Sequence, residues 1–241
     1  HERADMVIDV NVNTTLAALR LAEQHACRLV FASSPEAIGE AGIQPMPVSS
    51  KSVFDDAAQH QRHSYGSSKY LGEVLLQHAV RTKDLDFRIV RPFNAYGGRC
   101  PSTEYGQVIS IFMDAAACGK PLKVHGDGQQ TRSFTWVGDI TEAFLLAGLT
   151  DVAIDDGSKL AGAVWNVGWP EETSIAELAE LVAETSGVEV LIEPSKGYFG
   201  DSQRRCPDIS LATRQLGWQP WTTLEAGLRS TWFVINNRIN G

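Results

Sequence analysis

The sequence predicts a doubly wound α/β fold, a parallel sheet with helices on both faces, and two features carry that expectation. Short apolar runs such as RLVFAS (28–33), FRIVRP (87–92) and AVWNVG (163–168) alternate with longer stretches of helical periodicity. Helices between strands supply the crossovers that parallel pairing needs.

Taken in order, residues 7–25 carry apolar positions at helical spacing, and 28–33 read as a short buried strand. A Pro- and Ser-rich loop follows to about residue 60, then a helix over 65–81. FRIVRP is a second buried strand, stopped by Pro92. A helix near 106–118 and a strand at 122–126 come next, then a helix from Val137 with Asp139 in its first turn, where a carboxylate suits the helix dipole. Residues 163–168 form a strand. Ser174 followed by Glu177 reads as a capping box opening a helix over 175–186. A strand at 188–194 and helices near 208–216 and 223–238 complete the chain. Ligands of such sheets bind beyond the C-terminal strand ends, so the segments ASSPE and RPFNAYGGR are the places to seek chemistry.

Composition narrows the class. A chain of 241 residues, 43% hydrophobic, can bury one large core or two small ones. Its net charge of -8 argues against general nucleic-acid binding, because there is no basic excess to neutralise phosphates. Cys27, Cys100, Cys118 and Cys206 form no CxxC, and unpaired thiols in a reduced cytoplasmic chain are expected. No metal site is expected. There is no run of 18 apolar residues, so no membrane span is expected, and no signal peptide is visible. The chain opens HERADMVIDV, without an initiator methionine, and its first residue is not expected to be a natural start.

The stretch SYGSSKYLGE (64–73) sets Tyr65 and Lys69 four residues apart on one helix face. Such a pair by itself is often structural. Its chemical reading is that a tyrosine, a poor base at neutral pH, is tuned by an ammonium one turn away, which favours the phenolate. Ser34, at the end of FASS, is the hydroxyl placed to share a substrate's proton. Such a trio removes a proton from a sugar or alcohol hydroxyl while hydride leaves the same carbon, and a nicotinamide would have to accept that hydride.

Seven segments carry a resemblance to a known family: NVNTT (11–15), FASSPEAIG (31–39), SYGSSKYLGE, RPFNAYGGR (91–99), GDGQQTRSFTWVGDITEA (126–143), NVGWPEETSIAELA (166–179) and RRCPDISLATRQLGWQP (204–220). In this order they resemble the extended short-chain dehydrogenase/reductase family, the NAD-dependent nucleotide-sugar epimerases, dehydratases and decarboxylases. The resemblance implies a Rossmann-type sheet, with residues 1–96 as the remaining part of the NAD-binding domain and 97–241 mostly a smaller substrate-binding subdomain, some of whose segments return to the sheet. Departures exist: Thr14, Ser64, Ala37, Ile38 and Gly98 each replace a residue common in the family's motifs, and none of them removes an acid/base group. The family's opening strand, Gly-rich turn and helix, which cradle the dinucleotide pyrophosphate, are not represented in these residues. The expectation is that the sequence lacks the N-terminal strands of the fold, as a fragment or a partly ordered chain.

The resemblance assigns roles. Tyr65 is the implied acid/base; Lys69 lowers its pKa and holds the nicotinamide ribose; Ser34 bridges the sugar hydroxyl and Tyr65. Asn11 resembles an asparagine found near this relay on the cofactor side, with a helix asparagine bonded to backbone as the alternative. Asn94, Arg132 and Arg205 are the implied substrate residues, the two guanidinium groups suiting diphosphate oxygens. Asp201 resembles the carboxylate that accepts ribose hydroxyls, and Arg91 is expected to anchor its strand end. Oxidation of the sugar at C4 is the shared first step. Pro35 stands where a 4,6-dehydratase typically carries Asp, which disfavours that reaction. Glu36 remains, a residue seen in UDP-glucuronate decarboxylases and in many 4-epimerases. The expected reaction is 4-epimerisation of a UDP-hexose, with decarboxylation of UDP-glucuronate as the rival, dehydration third, and a nucleotide-sugar-binding relic as the non-enzyme alternative. A homodimer through the helices that hold Tyr65 and residues 9–25 is also implied.

Overall fold

The computed structural model describes residues 3–58, 63–103, 107–196 and 202–241. It begins with α1 (Ala4–His25), β1 (Leu29–Ala32), a 3-10 turn (Pro35–Ala37), α2 (Ser64–Lys83), β2 (Phe87–Pro92) and β3 (Ala95–Tyr96). Next come α3 (Val108–Ala117), β4 (Leu122–His125), β5 (Thr131–Arg132), β6 (Thr135–Trp136), α4 (Val137–Leu149), β7 (Val164–Val167) and β8 (Thr173–Ser174). The last elements are α5 (Ile175–Ser186), β9 (Ile192–Ser195), β10 (Arg204–Arg205), α6 (Ser210–Leu216) and α7 (Leu224–Asn240). Two compact units result. One holds His1–Phe93, Thr141–Val167 and Pro207–Gln219; the other holds Asn94–Ile140, Gly168–Cys206 and Pro220–Gly241.

The first unit is built on a parallel sheet in the order β1-β2-β7, with Phe31 opposite Ile89 and Ile89 opposite Val164. Paired on both edges, β2 is buried, as its unbroken apolar run predicts. Alternation along β2 sorts the two faces. Phe87 and Ile89 pack with Leu19 and Ala22 of α1 and Leu76 and Ala79 of α2. Arg88 points the other way and donates to the carbonyls of Ala147 (2.8 Å) and Thr150 (2.5 Å) at the end of α4. Helices therefore cover both faces, and each fully buried apolar side chain contributes about 1.5–3 kcal/mol. β1 departs from the expected buried strand: three of its four residues are only half-buried, because among the described residues it pairs with β2 alone.

The loop after the 3-10 turn is pinned rather than loose. Val53 donates its N–H to Ile38 (2.9 Å), Glu40 donates to Val53 (3.0 Å), and the Ser52 hydroxyl donates to Ala37 (2.8 Å). Gly39 has φ of 69°, and a Cβ there would meet the Val53 carbonyl oxygen at 2.0 Å, so only glycine fits.

In the second unit α3, α5 and α7 share a core that includes Phe112, Met113, Leu178, Val182 and Leu228. The capping box of α5 forms as the sequence predicts: Glu177 donates its N–H to the Ser174 hydroxyl, and its carboxylate accepts from the Ser174 N–H. Asp139 does more than answer the dipole. It is fully buried and accepts from the Thr222 N–H (3.0 Å), the Thr222 hydroxyl (2.9 Å) and the Trp221 N–H (3.3 Å). The strand expected at 188–194 lies at Ile192–Ser195 instead. Gly187 ends α5 in the left-handed region, and the Val188 N–H turns back onto the Ser186 hydroxyl, so pairing with β4 begins only after that reversal. The two-residue strands β3, β5, β6, β8 and β10 have no periodicity to read and were not expected.

Candidate active site

The first unit brings Ser34, Glu36, Tyr65 and Lys69 together at the C-terminal end of β1. Ser34 is extended, caps the 3-10 turn and accepts from the Glu36 N–H at 3.2 Å. That turn carries Glu36 toward the start of α2. α2 approaches it closely because Gly66 has no side chain: a Cβ there would lie 2.4 Å from the Glu36 carbonyl oxygen. This approach brings the Tyr65 phenol near Ser34, whose hydroxyl favours the phenolate. Ser34 is buried while Tyr65 remains 40% exposed, so the phenol stands at a surface that a ligand can reach.

The electrostatics differ from the expected lowering of the Tyr65 pKa by Lys69. The phenol is raised above its ordinary value, first by loss of hydration and then by the Glu36 carboxylate, against an opposing pull from the Ser34 hydroxyl. Lys69 is directed elsewhere. Its ammonium donates to the Ala32 carbonyl at 2.9 Å and lies 5.1 Å from the centre of the Phe31 ring and 5.7 Å from that of Tyr65. Desolvation holds Lys69 below its ordinary value.

Asn11 reaches the same turn of α2 by another route. Its amide donates to the Ser68 hydroxyl (2.8 Å), which donates to the Tyr65 carbonyl (2.7 Å). The structure thus ties the Asn11 side chain to Ser68 in the first turns of α2.

One group of site residues was not identified from the sequence. Glu73, one turn beyond Lys69 on α2, is buried. It accepts from Arg91 Nε (2.8 Å) and a terminal Arg91 nitrogen (2.6 Å), and from the Ser33 hydroxyl (2.5 Å). The other terminal nitrogen of Arg91 donates to the Val48 carbonyl at 3.1 Å, so Arg91 anchors its strand end as expected. The readable signal was Tyr65, Lys69 and Glu73 at four-residue spacing, facing an arginine at the end of a buried strand.

The second unit gathers the other candidates. Arg132 and Arg205 are register partners on the parallel strands β5 and β10, so both side chains leave the ladder on the same face. Arg205 is 5% exposed. Like charges set side by side are unfavourable unless an anion offsets them. On the neighbouring register pair, Glu172 accepts from Arg204 and from the Thr131 hydroxyl (2.5 Å). Hydrogen bonding from Arg204 and the charge of Arg132 help hold its carboxyl below the ordinary range. Asn94 has φ of 36°, a conformation asparagine tolerates, and its amide donates to the Ser133 carbonyl at 3.0 Å, fixing its own loop. Asp201 lies outside the described residues. Among the described residues no three His, Cys, Asp or Glu side chains gather as metal ligands, and no helix is long and apolar enough to cross a membrane.

The residues present fit the ribose end of a nicotinamide nucleotide. Lys69 uses one ammonium N–H on Ala32, and an ammonium has two more for a diol.

Comparison with known proteins follows this geometry. Residues 1–168 match the model of the NAD dependent epimerase/dehydratase family. UDP-glucuronic acid decarboxylase 1 of Arabidopsis thaliana is 32% identical over 234 residues, covering 96% of this chain and 51% of that protein. The decarboxylase 1 of Danio rerio is 33% identical over 233 residues, covering 93% of the chain and 51% of that protein. The chain thus spans about half the length of these relatives. Among solved structures, UDP-glucose 4-epimerase of Thermotoga maritima with UDP-glucose is similar at a TM-score of 0.85 and 25% identity, over 98% of this chain and 72% of that one. MoeE5 in complex with UDP-glucuronic acid and NAD is similar at 0.80 and 26%, over 95% and 71%.

Proposed function

Because the chain belongs to the NAD-dependent epimerase/dehydratase family, we propose that it carries the acid/base centre of an enzyme that oxidises a UDP-sugar at C4. The observation that carries this reading is the gathering of Ser34, Tyr65 and Lys69 at the end of β1, with the Lys69 ammonium 5.7 Å from the centre of the Tyr65 ring. NAD, when bound, supplies the hydride acceptor. Lys69 holds the nicotinamide ribose through its remaining N–H groups. Ser34 and Tyr65 hold the C4 hydroxyl between them, and Tyr65, in its phenolate form, takes the hydroxyl proton as the C4–H bond breaks and becomes the neutral phenol. With its pKa raised, the neutral phenol is also the form that returns a proton when C4 is reduced again. Arg132 and Arg205 bind the diphosphate as a pair of guanidinium donors. Asn94 orders the loop that precedes them in the chain.

Decarboxylation of UDP-glucuronate is the better supported outcome. The relatives at 32–33% identity over more than nine-tenths of the chain are UDP-glucuronic acid decarboxylases. The chemistry is consistent with the residues. Once C4 is a ketone, the carboxylate on C5 belongs to a β-keto acid. The C5–carboxylate bond breaks, neutral CO2 leaves, and its electron pair passes to the C4 oxygen, where the hydroxyls of Ser34 and Tyr65 stabilise the enolate. Glu36, whose field reaches Tyr65, repels the substrate carboxylate, and that repulsion ends as CO2 forms. The second reading is the 4-epimerase, favoured by the likeness to the Thermotoga enzyme, in which Glu36 is peripheral. The test gives the enzyme NAD with UDP-glucuronate and UDP-hexoses in parallel, followed by NMR. UDP-pentose and CO2 formation, lost in Glu36→Gln, supports decarboxylation; interconversion of UDP-hexose C4 epimers without CO2, changed less than about tenfold by Glu36→Gln, supports epimerisation. Neither reaction, or near-wild-type turnover in Tyr65→Phe, sinks the acid/base reading.

A homodimer through α1 and α2 belongs to the same proposal. Met6, Val10 and Leu21 on α1 and Tyr70, Leu71 and Val74 on α2 are exposed. Light scattering that gives a monomer mass at micromolar concentration would remove it.

A further inference from the structure

We infer that Glu73 is a positioning residue: held by Arg91 and joined to Ser33, it sets the register of α2 against the end of β1 so that the Tyr65 hydroxyl meets Ser34. This rests on the acid/base role proposed for Tyr65. Tyr65, Lys69 and Glu73 form one stripe of α2, and the three engage three consecutive residues of one strand end. Lys69 bonds the Ala32 carbonyl, Glu73 accepts from the Ser33 hydroxyl, and the Tyr65 phenol feels the neighbouring Ser34 hydroxyl. A helix docked by apolar contact alone can slide or roll by fractions of an ångström. The approach of the Tyr65 phenol to Ser34 tolerates little of that.

Glu73 is suited to remove the slack. Its carboxylate takes a two-pronged Arg91 fork, which fixes its orientation as well as its charge. Both side chains are nearly excluded from solvent, so the pair is stable only when its geometry is satisfied, and neither partner can drift into water. Ser33 completes the carboxylate, and its own N–H is locked to the Val90 carbonyl at 2.8 Å, inside the sheet. Arg91 belongs to the same sheet and also holds Val48. The network therefore references the helix to β1 and β2 at once. It touches no position assigned to substrate, and its influence passes through Ser34, the residue next to Ser33.

The experiment reads Tyr65 directly. The 241-residue chain is labelled with 3-fluorotyrosine, whose fluorine lowers every phenol pKa, and titrated by fluorine NMR, with Tyr65→Phe identifying the signal. Ser34→Ala removes the hydroxyl that favours phenolate and should move the Tyr65 midpoint upward, by about half a pH unit or more. Ser33→Ala keeps the Glu73–Arg91 pair and the fold, and should move the midpoint in the same direction. In the double variant Ser33→Ala should add nothing to Ser34→Ala, since it acts through that residue. Glu73→Gln should act like Ser33→Ala where it folds; where it does not, Ser33→Ala decides alone. A midpoint unmoved by Ser33→Ala, or shifts that simply add, would overturn the proposal. Failure of the acid/base role itself would show separately, as full turnover in Tyr65→Phe with these titration shifts intact.

Discussion

The Lys69 ammonium stands over the Tyr65 ring, 5.7 Å from its centre, while its hydrogen bond goes to Ala32. Four-residue spacing brought the two side chains together, but the strand end decided where the charge points. Lys69→Met should therefore leave the Tyr65 midpoint within about 0.3 pH unit of its original value in the fluorine NMR titration. A rise of a full unit would restore the tuning role that the spacing alone implies.

Gly66 sets the distance between α2 and the 3-10 turn. In Gly66→Ala the new Cβ meets the Glu36 carbonyl oxygen at 2.4 Å, a backbone contact that must yield. The expected cost is about 1–3 kcal/mol of stability, measured by urea unfolding with an unchanged slope, together with an upward Tyr65 midpoint as Ser34 separates. A stability equal to that of the parent chain would mean that α2 starts farther from Glu36.

At the opposite end of the sheet, Arg88 and Arg28 share Asp86 and hold three carbonyls at the end of α4, those of Ala147, Gly148 and Thr150. Arg88→Met should cost about 2–3 kcal/mol, the loss of charged hydrogen bonds from a buried side chain whose partner keeps Arg28. Burial pushes the Asp86 carboxyl up, but Arg88 and Arg28 together hold it below its ordinary value. A carboxyl depressed on folding stabilises the native state above its unfolded pKa, and that contribution is lost as pH falls through the folded value. Asp86→Asn should therefore lower stability at pH 7 and narrow its gap to the parent chain below about pH 4. A gap that stays constant across this range would show that Asp86 is not a charged partner.

Arg132 and Arg205 share one face of the β5–β10 ladder and are proposed to bind the diphosphate. Arg132→Ala should weaken UDP binding by roughly 1.5–3 kcal/mol in calorimetry, and should weaken uridine binding much less, because the nucleoside has no phosphates. Equal losses for both ligands would assign Arg132 to another part of the nucleotide.

Much of the fold was legible because its signals are local. Apolar periodicity located α1, α2 and the buried strand β2, and Ser174 with Glu177 marked the start of α5 to the residue. The proximity of Ser34, Tyr65 and Lys69 was legible because a hydroxyl at a strand end and a four-residue helical step are both encoded within a few positions, while their implied roles came from the family resemblance. What remained hidden depends on neighbours distant in sequence. The exposure of β1 follows from which strands pair with it. The two-residue strands exist only because Arg204 meets Thr131 and Ala95 meets Thr135 across the chain. The opposed pulls on Tyr65 come from burial, from Glu36 and from Ser34, none of which helix spacing weighs. Glu73 is the clearest case: by sequence it is one more carboxylate on a helix, and only packing against Ser33 and Arg91 turns it into a buried, fully bonded charge. Spacing along the chain determines which side chains share a face; hydration, charge and orientation belong to whatever that face is pressed against, and tertiary structure alone decides them.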